Sequence, residues 1–155
     1  MNTGAQATRR DRVYCEKSQI NIYRELAGIG ESGRKSAAGA NAAPFRSLKE
    51  VFLAAACLGM RTGKQIPLKQ REDLAMLSYF NDHQDMAVLR SSAIAATGQI
   101  EVLGDVNQIV TIAEEYANGG FDELKRAAWG VALPLQRVVE LFLGYKSEIP
   151  KVPQE

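Results

Sequence analysis

Few residues of this chain have the types and spacing that chemistry needs. His83 is the single histidine, so any imidazole base or ligand rests on it. It stands between Asp82 and Asp85 in the first turn of an expected helix. One histidine with two nearby carboxylates has no recognisable metal-ligand spacing, and an exposed polar residue is the simpler reading. No metal and no cofactor is expected. Cys15 and Cys57 also lack metal-type spacing, and Cys57 sits in an alanine-rich run, where cysteine acts as a small apolar residue. The carboxylates, among them Asp82 with Asp85 and the adjacent Glu114 and Glu115, read as solvated. Nothing sets two of them across a cleft for acid–base work. Gly28, Gly30 and Gly33 follow no strand and precede no GK[ST], so they do not make a phosphate loop. A non-enzymatic protein is therefore expected; a small nuclease or hydrolase subunit would need a carboxylate cluster made by the fold.

The best chemical candidate is a basic loop. Arg61, Lys64, Lys69 and Arg71 crowd a stretch shaped by Gly63 and Pro67. Such a loop can contact phosphate without reading bases. Arg9, Arg10 and Arg12 would assist from an N-terminal tail. The alternative is a solvated surface, since charge runs are usually that. No aromatic is interleaved in the loop, which argues against stacking on single strands. The charge is lopsided: residues 1–71 hold 13 Lys/Arg and 5 Asp/Glu, residues 72–155 hold 6 and 13. A basic face for nucleic acid and an acidic face for a protein would produce that split; so would basic tails folded back on an acidic body. The expected partners are proteins and DNA, with a homo-oligomer as an option.

The elements that must carry these residues read as mostly α. Ser47 and Glu50 have capping-box spacing. Leu48, Val51, Phe52, Ala55 and Leu58 then recur at three- and four-residue steps, which predicts a central helix closed by Gly59. Residues 1–11 read as a disordered basic tail, and Val13–Cys15 as a short extended piece. Ser18 is an expected N-cap for a helix from Gln19 to about Ala27, and residues 28–43 read as a mobile Gly/Ala linker inside a domain spanning 12–146. Residues 74–80 could be strand or turn and could pair with 100–103 as a hairpin. Asn81 should cap a helix running to Thr97, stopped by Gly98. Asp105 should cap another that ends at Asn118-Gly119-Gly120, followed by a short helix 121–129. Pro134 should open a last helix to Leu143, burying Leu135, Val138, Val139 and Phe142, before a frayed tail, 147–155. The expectation is one compact single-domain helical bundle of five or six helices. No run approaches the ~20 apolar residues of a membrane span, and no signal segment opens the chain. A cytoplasmic protein with two reduced thiols is expected.

Two stretches, taken together, resemble a known family. They are FRSLKEVFLAAACLGMRTGKQIPL at 45–68, and YFNDHQDMAVLRSSAIAATGQIEVL at 79–103 leading to IAEEYANGGFDEL at 112–124. Their most specific pieces are the ACLG-x-x-x-GK loop and AEEYANGG. They are similar to the Dnd system-associated protein 4 family, also called DNA phosphorothioation-associated protein 4; the opening RVYCEKSQINIYREL fits its start. The resemblance implies an accessory place beside phosphorothioate DNA modification in bacterial anti-phage defence, with other defence-system proteins as partners, or a DNA-binding regulator of that locus. It implies no reaction and no catalytic residue. Limited proteolysis should cut first at Arg34 or Lys35; first cuts beyond residue 72 would overturn the linker.

Overall fold

The fold is that of a computed structural model, which describes residues 8–30 and 43–144. Its elements run β1 (Arg12–Glu16), α1 (Ile20–Leu26), α2 (Leu48–Thr62), β2 (Arg71–Met76), α3 (Asp85–Thr97), α4 (Val106–Ala128) and α5 (Pro134–Leu143). Short 3-10 turns sit at Lys17–Gln19, Leu77–Tyr79 and Ile100–Gly104. The mostly α bundle expected from the sequence is what the chain forms. The 147–155 tail and residues 31–42 of the expected linker lie outside the described residues.

Helix α2 begins as its sequence dictates. The Ser47 Oγ accepts from the Glu50 N–H at 3.3 Å, and Glu50 reaches back one residue further than expected, to the Arg46 N–H at 2.8 Å. Val51, Phe52, Ala55, Ala56 and Leu58 are all fully buried. Gly59, however, does not close the helix. It lies inside, and Gly63, with φ +67°, is the left-handed cap.

Gly59 has another use. A Cβ on it would stand 1.9 Å from the Tyr116 carbonyl oxygen of α4. The same contact explains why Asn118-Gly119-Gly120 does not break the chain into two helices. Helix α4 runs unbroken for 23 residues. A Cβ on Gly119 would meet the Lys64 carbonyl at 1.9 Å, and one on Gly120 the Ala55 carbonyl at 2.0 Å. The glycines lower helix propensity by about 1 kcal/mol each, and the backbone contact they permit more than offsets that. Phe121, next in sequence, stacks on Tyr23 of α1 with centroids 4.9 Å apart, so α1 closes over the crossing.

The sheet also differs from expectation. Residues 77–79 and 100–104 are 3-10 turns, not a hairpin. Instead β1 pairs antiparallel with β2, Arg12 opposite Met76 and Glu16 opposite Arg71, with an irregularity between Val13 and Tyr14. Val13 and Cys15 point into the core. Residues 8–11 are no free tail: the Asp11 carbonyl accepts from the Leu77 N–H at 2.7 Å. Ser18 caps nothing; α1 starts from the preceding 3-10 turn without a side-chain cap. Asn81 Oδ1 does accept from the N–H groups of Gln84 and Asp85, at 2.7 and 3.3 Å, but it caps a turn that precedes α3. Gly98 stops α3 at φ +67°, as expected.

Two substitutions test the crossing. Leu58→Ala should cost about 2–5 kcal/mol through lost transfer energy and a cavity. Gly120→Ala should cost at least ~1–3 kcal/mol from overpacking, against alanine's better helix propensity. Urea midpoints measure both. A Gly120→Ala variant as stable as the wild type would mean that the two backbones do not touch.

Candidate functional site

The structure disperses the seven basic residues. Arg61 is on the last turn of α2, where its Nη1 donates to the Leu141 carbonyl at 3.0 Å and its Nη2 to Glu123 Oε1 at 3.1 Å. It ties α2 to α4 and α5. The Lys64 backbone is locked, its N–H donating to the Gly59 carbonyl at 2.9 Å, while its side chain is exposed. The Glu16 carboxylate accepts from the backbone N–H groups of Lys69 and Gln70, both at 2.8 Å, and so holds the loop against β1. Arg12 pairs with Asp73 at 2.8 Å on the surface, a contact worth less than about 1 kcal/mol. Arg9 is exposed.

Arg71, Arg10 and Tyr14 come together. The Arg10 and Arg71 guanidinium carbons lie 5.1 and 5.9 Å from the Tyr14 ring centroid. An aromatic is therefore interleaved with the basic residues after all; it comes from β1, which the loop's own sequence does not reveal.

Arg10 is the main correction. Expected on a mobile tail, its side chain is 14% exposed and meets Glu114, which is 1% exposed. Nη1 and Nη2 donate to the two carboxylate oxygens at 2.8 and 2.6 Å. Nη1 also reaches Thr111 Oγ1 at 3.0 Å, and the Tyr14 N–H donates to Glu114 Oε2 at 2.7 Å. Asn107, one turn earlier, accepts from the Arg10 N–H at 2.8 Å and donates to the Thr8 carbonyl at 3.2 Å. Asn118, one turn later, accepts from Gln19 at 2.9 Å and donates to the carbonyls of Ile66 and Pro67, at 3.1 and 3.3 Å. Asn107, Thr111, Glu114 and Asn118 thus form one polar ladder along α4, at steps of three and four residues. It binds the N-terminal strand at one end and the basic loop at the other. Arg10 is consumed in building the fold.

Burial pushes the Glu114 carboxyl up, and the bonds from Arg10 and the Tyr14 N–H only partly pull it back. Burial likewise pushes the Cys15 thiol up to about 12, with Glu72 and Glu16 adding to it, so this thiol is not a nucleophile at neutral pH. Asp85 is already engaged, by Lys49 Nζ at 2.7 Å and the Asn81 N–H at 2.9 Å. His83 is exposed. Among the described residues, no three His, Cys, Asp or Glu side chains group as a metal site.

A family model described as DNA sulphur modification system-associated protein 4 matches residues 35–151, about three quarters of the chain. The chain belongs to this family. The match starts after β1 and α1, so the opening RVYCEKSQINIYREL lies outside it, and it continues past Leu124 through α5. No curated protein and no solved structure matches the chain. Within this DNA sulphur modification family member, the matched segment holds the α2–α4 crossing, the whole polar ladder and α5, but not Arg10. No helix of the described residues is long and apolar enough to cross a membrane.

Arg10→Ala leaves Glu114 buried with the Tyr14 N–H but without a positive partner, and should cost about 3–5 kcal/mol. Its pH dependence has a definite sign. With its folded pKa raised, Glu114 holds its proton better in the folded state. Stability contributed by that proton is full below the ordinary carboxyl pKa and is lost as pH rises through the raised value. Removing Arg10 raises that value further, so the variant should lose more stability than the wild type between pH 5 and pH 8. Urea midpoints at the two pH values check this; equal losses would mean that Glu114 is not held by Arg10.

Proposed function

We propose that this chain is a non-enzymatic accessory component of a DNA sulphur modification system, and that it acts by docking on another protein of that system. The observation that carries this reading is the outer face of α5. Leu135, Val139 and Phe142 recur there at i, i+4 and i+7, and are 59%, 46% and 40% exposed. Leu133 and Leu143 extend the stripe at both ends and are more exposed still. The charged pair of this helix, Arg137 and Glu140 at 3.4 Å, lies on the opposite side by helical spacing. Leu133 also holds φ +54°, the one left-handed non-glycine residue among those described. That conformation costs a leucine about 1–2 kcal/mol, and strain of this kind collects at functional positions. A continuous exposed apolar stripe is the usual mark of a protein-binding face.

DNA contact is a second reading, supported by Lys64, Lys69 and Arg71, whose side chains stay exposed. With Arg10 buried against Glu114, and Arg12 and Arg61 paired on the surface with Asp73 and Glu123, the remaining contact with phosphate would be small and not sequence-selective.

Leu135→Asp/Val139→Asp changes only exposed positions, so it should leave the urea midpoint within about 0.5 kcal/mol while abolishing capture of the partner in a pull-down from the native host. Unchanged capture would remove α5 from the reading. Light scattering of the same pair of proteins separates self-association from a foreign partner. For DNA, Lys64→Ala/Lys69→Ala should reduce the log–log salt slope of duplex binding by about 2; an unchanged slope would place any contact elsewhere.

A further inference from the structure

A cleft of ≈ 500 Å³ opens between residues 9–11, the turn that follows β2, α3 and the start of α4. That volume is within the usual range for a small-ligand site. Its floor is fixed. Phe80, Met86 and Ile109 are each less than 10% exposed, and Phe80 stands edge-on to Phe52 with centroids 5.9 Å apart. Met76 joins from the end of β2. Arg9 and Arg90 line the same cleft. Arg90 is steadied by one bond from its Nη1 to the Asp82 carbonyl at 3.1 Å, which leaves its other donors for a ligand. Arg10 lines the back, but Glu114 already neutralises it. Asp11 and Asp82 also line the cleft and offset Arg9 and Arg90.

This is an unusual setting for an anion. Two guanidinium groups offer hydrogen bonds, yet the local charge sums to about zero, and the apolar wall sets Met76, Phe80 and Met86 among aliphatic side chains such as Leu103 and Val106. An ordinary phosphate oxyanion is strongly hydrated and would lose its water for little return. A phosphate in which sulphur replaces one non-bridging oxygen carries the same charge on a larger, softer and less hydrated atom. Guanidinium is itself weakly hydrated, and the methionine thioether is polarisable. Such an anion loses less on entering and gains more from the wall. We propose that the cleft binds a phosphorothioate group of DNA, with Arg9 and Arg90 on the charge and Met76, Phe80 and Met86 against the sulphur. The proposal rests on the chain's place in a DNA sulphur modification system and deepens the DNA reading; it does not depend on docking through α5.

The probe is a short duplex carrying one phosphorothioate linkage, compared by fluorescence anisotropy with the same duplex carrying only phosphate. The wild type should bind the sulphur duplex about tenfold more tightly, the discrimination one good apolar contact supplies. Arg9→Ala/Arg90→Ala should weaken binding of the sulphur duplex, and Met86→Gln should bring the two affinities together. Arg9→Ala alone serves as the variant that cannot disturb the fold, because Arg9 is exposed and makes no ion pair among the described residues. It too should weaken binding. Equal affinity of the wild type for both duplexes, binding to neither, or a preference untouched by all of these variants would overturn the proposal. Partner capture through α5 should persist in every one of them, so failure here and failure of the docking reading are told apart.

Discussion

The contact on which this structure depends is that of two helix backbones with no side chain between them. Where α2 crosses α4, Gly59 lies on the Tyr116 carbonyl and Gly120 on the Ala55 carbonyl. Side chains larger than hydrogen would hold the helices apart, and the rest of the core would no longer reach across. Val51, Phe52 and Leu58 on one helix, and Ile109, Val110, Phe121 and Leu124 on the other, are all at most 1% exposed because the axes come this close. Close packing of this kind leaves little room for relaxation. The third glycine, Gly119, extends the same contact to the Lys64 backbone, so the path of the basic loop is set by the crossing as well.

Much of the fold was legible, for identifiable reasons. The cap at Ser47, the stop at Gly98 and the apolar period of α2 are local signals, and local physics decides them. Gly59 and the Gly119-Gly120 pair were read as helix ends because a glycine near a turn and a glycine under a crossing helix look alike in one dimension. Only the partner backbone tells them apart. The pairing of β1 with β2 was equally hidden, since the two strands are separated by two helices and neither sequence names the other.

The site was less legible than the fold. Charge density along the chain pointed to a basic loop assisted by a basic tail; the loop exists, but Arg61 of the loop is paired with Glu123 and, from the tail, Arg10 is buried against Glu114 and Arg12 is paired with Asp73. Glu114 was read as solvated. A signal for its burial was present: Val110, Ala117 and Phe121 stand at i−4, i+3 and i+7 from it, a second apolar stripe into which the carboxylate falls. A charged residue inside such a stripe must find a partner, and the only question was from where. The α5 stripe was read correctly as apolar but assumed to be covered, because periodicity reports a hydrophobic face and says nothing of what stands opposite.

The ladder on α4 also fixes an order of events. Arg10 is bound by Thr111 and Glu114, 101 and 104 residues later in the chain. At ribosomal rates of ~5–20 residues per second, those partners emerge roughly 5–20 s after Arg10 does. Until then β1 has no buried carboxylate to meet and no α4 to lie against. The bonds that hold Arg10 and Tyr14 to this ladder therefore cannot form until α4 has been made, although β1 can meet β2 before then.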